Sequence, residues 1–94
     1  MDDIRLKRLR HRAWRRGFRE ADLILGPFAD SHALTLTPVQ LDTFEALLEE
    51  PDPDIYAWIV GAAAAPPQFD TDVLALIRAF HVDARLARGD DLGA

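Results

Sequence analysis

Apolar side chains recur at spacings of three and four residues along most of the chain, which is the period of a helix face. The predicted helices span residues 3–17, 18–30, 38–50, 53–60 and 71–88. Their buried positions are Leu6, Leu9, Ala13 and Gly17, then Leu41, Phe44, Leu47 and Leu48, then Ile55, Trp58 and Ile59, and last Val73, Leu74, Ile77 and Phe80. The pattern therefore predicts an all-α fold, a compact bundle of five helices in a single domain.

Residues near the helix ends support these boundaries. Thr37 precedes a proline and stands three residues before Gln40, which is the pattern of a capping box. Asp52 is expected to cap the fourth helix, with Pro53 at its first position. Gly61 is expected to end that helix.

The second helix contains Gly26 and Pro27, and we expect it to kink or end there because proline lacks an amide donor. Residues 31–37 are expected to form a connector. A short strand over residues 33–37 is the alternative, but the pattern offers it no pairing partner. Order is expected over about residues 3–88, followed by a frayed tail at 89–94.

Charge divides the chain into two parts. The net charge of −5 conceals eight Lys or Arg without any acid in residues 5–19, and eleven Asp or Glu without any base in residues 20–72. The length of 94 residues fits one domain. The chain has no cysteine, which excludes disulfides, thiolate zinc sites and cysteine nucleophiles. No apolar run approaches the ~20 residues of a membrane span, so we expect a bacterial cytoplasmic protein without membrane insertion.

Motifs of catalysis and metal binding are missing from the sequence. No two of the three histidines stand four residues apart, and Ser31 and His32 lack a third group to orient them. No phosphate-binding or dinucleotide-binding glycine motif occurs. The sequence therefore predicts a protein that is not an enzyme and holds no metal.

The basic first helix admits four interpretations. It could neutralise nucleic-acid phosphates, lie on anionic lipid, dock an acidic protein surface, or pair with the acidic remainder of its own chain. The following acids would repel phosphates, and the narrow apolar face is needed by the core. Pairing within the chain and docking on protein are therefore favoured.

The junction of the first two helices contains Arg16, Gly17 and Glu20. Local helix stability does not explain this combination, because glycine disfavours a helix interior and Arg before Glu is the weaker order for an ion pair. Gly17 could serve a turn between helices. It could equally let a partner backbone or a flat ligand approach, with Arg16 and Glu20 as polar contacts on either side.

Two motifs together resemble the succinate dehydrogenase FAD assembly factors, a family of small helical proteins needed for covalent flavin attachment. The first is Arg16-Gly17-x-x-Glu20 followed by Asp22, and the second is Asp52-Pro53-Asp54-x-x-x-Trp58. With the basic first helix and the capped third helix, the similarity covers about residues 5–88. Phe18 departs from the pattern, since Met or Leu is more usual there.

The resemblance implies a five-helix fold and a partner, the flavoprotein subunit of succinate dehydrogenase, with the fumarate reductase subunit as a second client. It implies a monomer that binds no FAD stably, contacts no nucleic acid, and promotes attachment of the partner's FAD. The implied partner-binding residues are Arg16, Gly17, Glu20, Phe18, Arg15 and Asp22, and the implied structural residues are Asp52, Pro53 and Trp58. The alternative is a small regulatory or antitoxin-like protein whose basic helix binds nucleic acid or a protein.

Overall fold

The computed structural model describes residues 3–14 and 17–88, and the expected tail at 89–94 lies outside them. The helices are α1 (Asp3–Trp14), α2 (Arg19–His32), α3 (Pro38–Leu47), α4 (Asp52–Val60) and α5 (Asp72–Arg88), with 3-10 turns at Ala33–Thr35 and Pro67–Phe69. The predicted all-α, five-helix fold is confirmed. Within the described residues there is no strand, and the alternative at residues 33–37 is wrong because α2 runs on into a 3-10 turn there.

The core lies where the apolar faces of the five helices meet. Phe28 of α2 packs edge-on against Phe44 of α3, with ring centroids 5.4 Å apart, and both rings are fully buried. The predicted buried positions are confirmed except for two. Phe80 is half-buried at the edge of the core, and Gly17 is exposed because α1 ends before reaching it.

Helix α2 was expected to kink or end at Pro27, and it continues through the proline to His32, so an end at Pro27 is wrong. The ring leaves the carbonyl of Leu23 without its usual amide donor. Leu23 lies on an exposed side of the helix, where water can serve that carbonyl. Phe28 and Ala29, directly beyond the proline, are buried, and the gain from burying this turn outweighs the lost hydrogen bond.

The capping box of α3 is confirmed. The Thr37 hydroxyl accepts from the amide of Gln40 at 3.1 Å, and the Gln40 side chain accepts from the amide of Thr37 at 3.0 Å. The Gln40 amide nitrogen also donates to Asp72 at 2.9 Å, so the same residue ties α3 to the start of α5. Helix α3 ends at Leu47, earlier than expected, and residues 48–50 form a turn into α4.

The start of α4 corrects one prediction. Asp52 is the first helical residue rather than the cap, and Pro53 is the second. The carbonyl of Pro51 accepts the first helical bonds, from the amides of Asp54 at 3.0 Å and Ile55 at 3.1 Å. An acidic residue in a first turn still favours the helix dipole, so Asp52 keeps a stabilising position. Gly61 ends α4 with a φ of +83°, as predicted.

Candidate partner-binding site

Gly17 lies between α1 and α2 with a φ of +84°, a conformation that glycine adopts more readily than other residues. Its positive φ explains the glycine as a turn residue. A Cβ atom added there would have no atom of the described residues beyond its chain neighbours within 4 Å, so the turn also leaves room for another molecule to approach. Both interpretations of Gly17 are therefore compatible with the geometry. Arg15 and Arg16 lie outside the described residues.

Phe18 joins this turn to the body of the protein. Its backbone is extended, and its carbonyl accepts the first hydrogen bond of α2, from the amide of Asp22 at 3.0 Å. Its half-buried ring packs edge-on against Tyr56 of α4, with centroids 5.6 Å apart. The aromatic contact holds the turn against α4, and aromatic pairs of this geometry stabilise beyond their buried area.

Glu20 lies in the first turn of α2 at the rim of a groove of about 540 Å³, which we call the α2–α5 groove. The groove is lined by Glu20, Leu23, Ile24, Pro27, Tyr56, Phe80, His81 and Ala84. The Glu20 side chain is exposed and has no hydrogen bond or ion pair within the described part of the chain. Leu23, one turn further along, is 57% exposed. An apolar surface rimmed by an unpaired charge is typical of a protein–protein contact.

Asp22 lies elsewhere. Two residues along a helix turn the side chain by about 200°, so Asp22 lies on the opposite flank of α2 from Glu20. It is half-buried and does not line the groove. The structure therefore places Glu20 and Tyr56 in one groove, with Phe18 packed against Tyr56, and leaves Asp22 outside the groove lining.

The sequence did not indicate Leu23, Tyr56 or His81 as site residues. They come from α2, α4 and α5, and only the packing of these helices brings them to one groove. Of these three residues, Leu23 alone could have been found from the sequence, because a residue three positions after Glu20 lies near it on a helix. Nothing in the local sequence around Tyr56 or His81 marks them.

The structural residues implied by the resemblance lie away from the groove. Trp58 is 7% exposed, stacks on Phe69 with centroids 5.4 Å apart, and accepts a hydrogen bond on its carbonyl from Arg78 at 2.9 Å. Asp52 and Pro53 begin the same helix. None of these three residues lines the α2–α5 groove.

Three arginines of α1 are paired with acids of the same chain. Arg5 makes a two-pronged contact with Glu45, at 3.0 and 2.9 Å, and a further contact with Asp42. The hydrogen bonds that Arg5 donates to Glu45 and then to Asp42 raise the pKa of Arg5. Arg12 pairs with Glu49 at 2.8 Å.

On the other flank of α1, Arg10 pairs with Asp30 at 2.8 Å. The prediction that the basic helix pairs within its own chain is therefore confirmed for Arg5, Arg10 and Arg12. Lys7 and Arg8 are exposed, and neither has a partner in the described part of the chain.

Among the described residues, no three His, Cys, Asp or Glu side chains cluster in a way that would hold a metal ion. No described helix combines the length and the apolar character needed to cross a bilayer.

A family model described as "Flavinator of succinate dehydrogenase" matches residues 7–81, about four fifths of the chain. The chain belongs to this flavinator family. The resemblance seen in the sequence is confirmed. The matched region contains Gly17, Phe18 and every groove residue except Ala84, so the candidate site lies inside the part that defines the family.

The named relatives include bacterial proteins and mitochondrial proteins of eukaryotes. The chain is 43% identical over 72 residues to "Succinate dehydrogenase assembly factor 2, mitochondrial" of Dictyostelium discoideum, which covers 77% of this chain and 51% of the relative. It is 36% identical over 85 residues to "FAD assembly factor SdhE" of Acetobacter pasteurianus, covering 90% and 75%. The matches thus span about half of the first relative and three quarters of the second. The regulatory or antitoxin-like alternative finds no support in these comparisons.

Proposed function

We propose that this protein is a non-catalytic assembly factor that binds the flavoprotein subunit of succinate dehydrogenase and promotes covalent attachment of its FAD. Membership of the flavinator family carries the proposal. The Dictyostelium relative is named for succinate dehydrogenase assembly and the Acetobacter relative for FAD assembly, and the two names together support the proposal. The exposed turn at Gly17 is followed by Glu20, which has no partner among the residues that the structure describes and lies at the rim of an apolar groove. This arrangement supplies a surface suited to a protein partner.

The proposed mechanism works through binding energy. The flavin and the flavoprotein carry the bond-forming chemistry, as is general for cofactor-dependent reactions. A partner that binds one conformation of the flavoprotein more tightly raises the population of that conformation. The factor needs no catalytic group and no stably bound FAD of its own, and it would act on the FAD held by its partner.

We assign the contact to residues 15–20 and the α2–α5 groove. Glu20 offers an exposed carboxylate that a cationic side chain of the partner would neutralise, and exposed Leu23 offers an apolar contact beside it. Gly17 allows close approach because nothing lies within 4 Å of the position of a side chain. The resemblance adds Arg15, Arg16 and Asp22 to this contact.

We extend the proposal to a second client, the oligomeric state, the cellular location and nucleic acid. The related subunit of fumarate reductase is a second client, and the factor acts as a monomer. It acts in the bacterial cytoplasm, and the similarity to a factor from the bacterium Acetobacter supports the bacterial setting. It does not act through nucleic acid. The pairing of Arg5, Arg10 and Arg12 with acids of the same chain supports this, because those charges are already neutralised.

Reconstitution tests the proposal without interference from other routes of flavin attachment in a cell. Purified flavoprotein subunit lacking covalent flavin is mixed with FAD, with and without the factor, and covalent flavin is read as fluorescence of the denatured subunit in a gel. We expect faster and more complete attachment with the factor, and a stable complex of the two proteins on a sizing column. Equal rates in both mixtures, together with no complex, would refute the function.

A further inference from the structure

Gly26 is a buried glycine that has neither a positive φ nor a place in a turn. The indole of Trp14, the last residue of α1, lies directly on it. A Cβ atom at position 26 would be 2.3 Å from Cδ2, 2.4 Å from Cε2 and 2.6 Å from Cε3 of Trp14. These are atoms of the fused ring, which cannot move without moving the whole side chain. Trp14 therefore leaves room for no residue larger than glycine at position 26.

Hydrogen bonds fasten the same contact. Trp14 Nε1 donates to Oδ2 of Asp30 at 3.1 Å, and Arg10 Nε donates to Oδ1 of Asp30 at 2.8 Å. Both donors belong to α1, and the shared acceptor lies one helical turn beyond Gly26 on α2. We call Arg10, Trp14, Gly26 and Asp30 the α1–α2 clasp. The clasp fixes the end of α1 against α2 in both distance and rotation.

Burial alone does not account for this arrangement. Trp14 is 39% exposed, whereas a tryptophan that served only the core would be enclosed like Trp58. Glycine also lowers the helix propensity of α2 at position 26. Only two residues separate Trp14 from Gly17, so a displacement of Trp14 has little chain to absorb it before it reaches the turn.

We propose that the α1–α2 clasp positions the turn at Gly17 and Phe18 for its partner. Trp14 and Gly26 are positioning residues in this proposal, because they act through the turn and the groove rim and not by touching the partner themselves. The step to partner binding rests on the proposed function. The step from the clasp to the geometry of the turn can be tested on the isolated protein.

The first experiment tests the packing with a double-mutant cycle of Gly26→Ala and Trp14→Ala. In the presence of Trp14 we expect Gly26→Ala to lower the melting temperature, because the methyl group displaces the indole. In the Trp14→Ala background the same change should raise it, because the clash is gone and alanine favours a helix. The same sign in both backgrounds would overturn the clasp.

The second experiment reads the turn by NMR of the full chain. In Gly26→Ala we expect a shifted Gly17 amide resonance and weaker Phe18–Tyr56 ring contacts, with the Gln40 amide of the α3 capping box unchanged. Ser31→Ala, an exposed substitution on the same helix, is the matched control and should leave all three signals in place. Unchanged Gly17 and Phe18 signals in Gly26→Ala would refute the positioning role.

The third experiment measures affinity for the flavoprotein subunit. We expect about tenfold weaker binding for Gly26→Ala, unchanged binding for Ser31→Ala, and an intermediate loss for Trp14→Phe, which keeps a ring but lacks the donor to Asp30. Full affinity of a Gly26→Ala protein whose turn has moved would overturn the link to the partner. Failure of the wild-type protein to bind would instead refute the proposed function, and the NMR result would still decide the clasp.

Discussion

Two charged surfaces of this molecule differ in how their charges are satisfied. Where α1 meets α3 and the turn that follows α3, a contact which we call the α1–α3 seam, Arg5 pairs with Asp42 and Glu45 of α3, and Arg12 pairs with Glu49 of the turn. In the α2–α5 groove, Glu20 is unpaired within the described part of the chain and lies beside exposed apolar surface. Charges that satisfy each other hold helices in place, whereas an unpaired charge beside apolar surface is available to a partner.

This difference explains the uneven charge of the sequence. Helix geometry distributes the basic residues of α1 over two flanks and an outer face of the helix. Arg5 and Arg12 lie on the flank facing α3, Arg10 lies on the flank facing α2, and Lys7 and Arg8 lie outside. Most of the basic charge of α1 thus serves the fold, and the surface we assign to the partner begins where α1 ends.

The largest effect is expected from Gly17→Arg. A side chain at a φ of +84° costs about 1–2 kcal/mol of stability, and the open space there lets the fold survive. The arginine would occupy the space reserved for the partner, so reconstituted flavin attachment should fall by at least about tenfold. Circular dichroism at the assay temperature checks the fold. An unfolded variant would show that Gly17 serves the turn above all.

Glu20→Ala should reduce affinity for the flavoprotein subunit by about tenfold, because it removes a charge that the partner neutralises. Stability should change by less than about 1 kcal/mol, as is usual for exposed sites. Asp83→Ala is the matched control, since Asp83 is an exposed acid of α5 that does not line the groove. Equal loss in both variants would mean that only net charge matters and would remove the contrast between the two surfaces.

Leu23→Asp should weaken the complex by several-fold and leave the melting temperature nearly unchanged, because the side chain is already mostly exposed. Leu34→Asp is the control, since Leu34 is also exposed but lies outside the α2–α5 groove. Isothermal titration against the flavoprotein subunit gives the two affinities. If Leu34→Asp weakens binding and Leu23→Asp does not, the contact lies elsewhere on the protein.

The smallest effect is expected at the α1–α3 seam. A double-mutant cycle of Arg12→Ala and Glu49→Ala should give a coupling of about 0.2–1 kcal/mol in urea unfolding, and this coupling should shrink as salt is added. Flavin attachment by all three variants should match the wild type. A seam variant that folds normally but fails to support attachment would place α1 in the contact and break the comparison.

Much of the fold follows from local rules in the sequence. The capping box at Thr37, the positive φ at Gly61 and the apolar periodicity each depend on residues within one helix or its ends. The continuation of α2 through Pro27 does not follow from such rules, because burial of Phe28 against Phe44 and Phe80 decides it. Local sequence patterns predict the helices. Tertiary packing decides whether a helix continues through a residue that disfavours it, such as Pro27.

The candidate site divides in the same way. Gly17 and Glu20 are visible in the sequence because their combination makes little sense for an isolated helix. Tyr56 joins them through tertiary packing, because it lines the groove with Glu20 and contacts Phe18, 38 positions away in the chain. The need for glycine at position 26 is even less visible in the sequence, because it comes from the ring of Trp14 on another helix and not from neighbouring residues.

The different burial of the two tryptophans gives the protein two intrinsic optical probes. Trp14 is 39% exposed at the end of α1, and Trp58 is 7% exposed inside the core. Because the sequence has two tryptophans in all, replacing either with phenylalanine leaves a protein with a single tryptophan, which can be excited selectively. Emission from Trp14 would then report events near the turn, and emission from Trp58 would report global unfolding. Docking and denaturation can thus be followed separately without any attached dye.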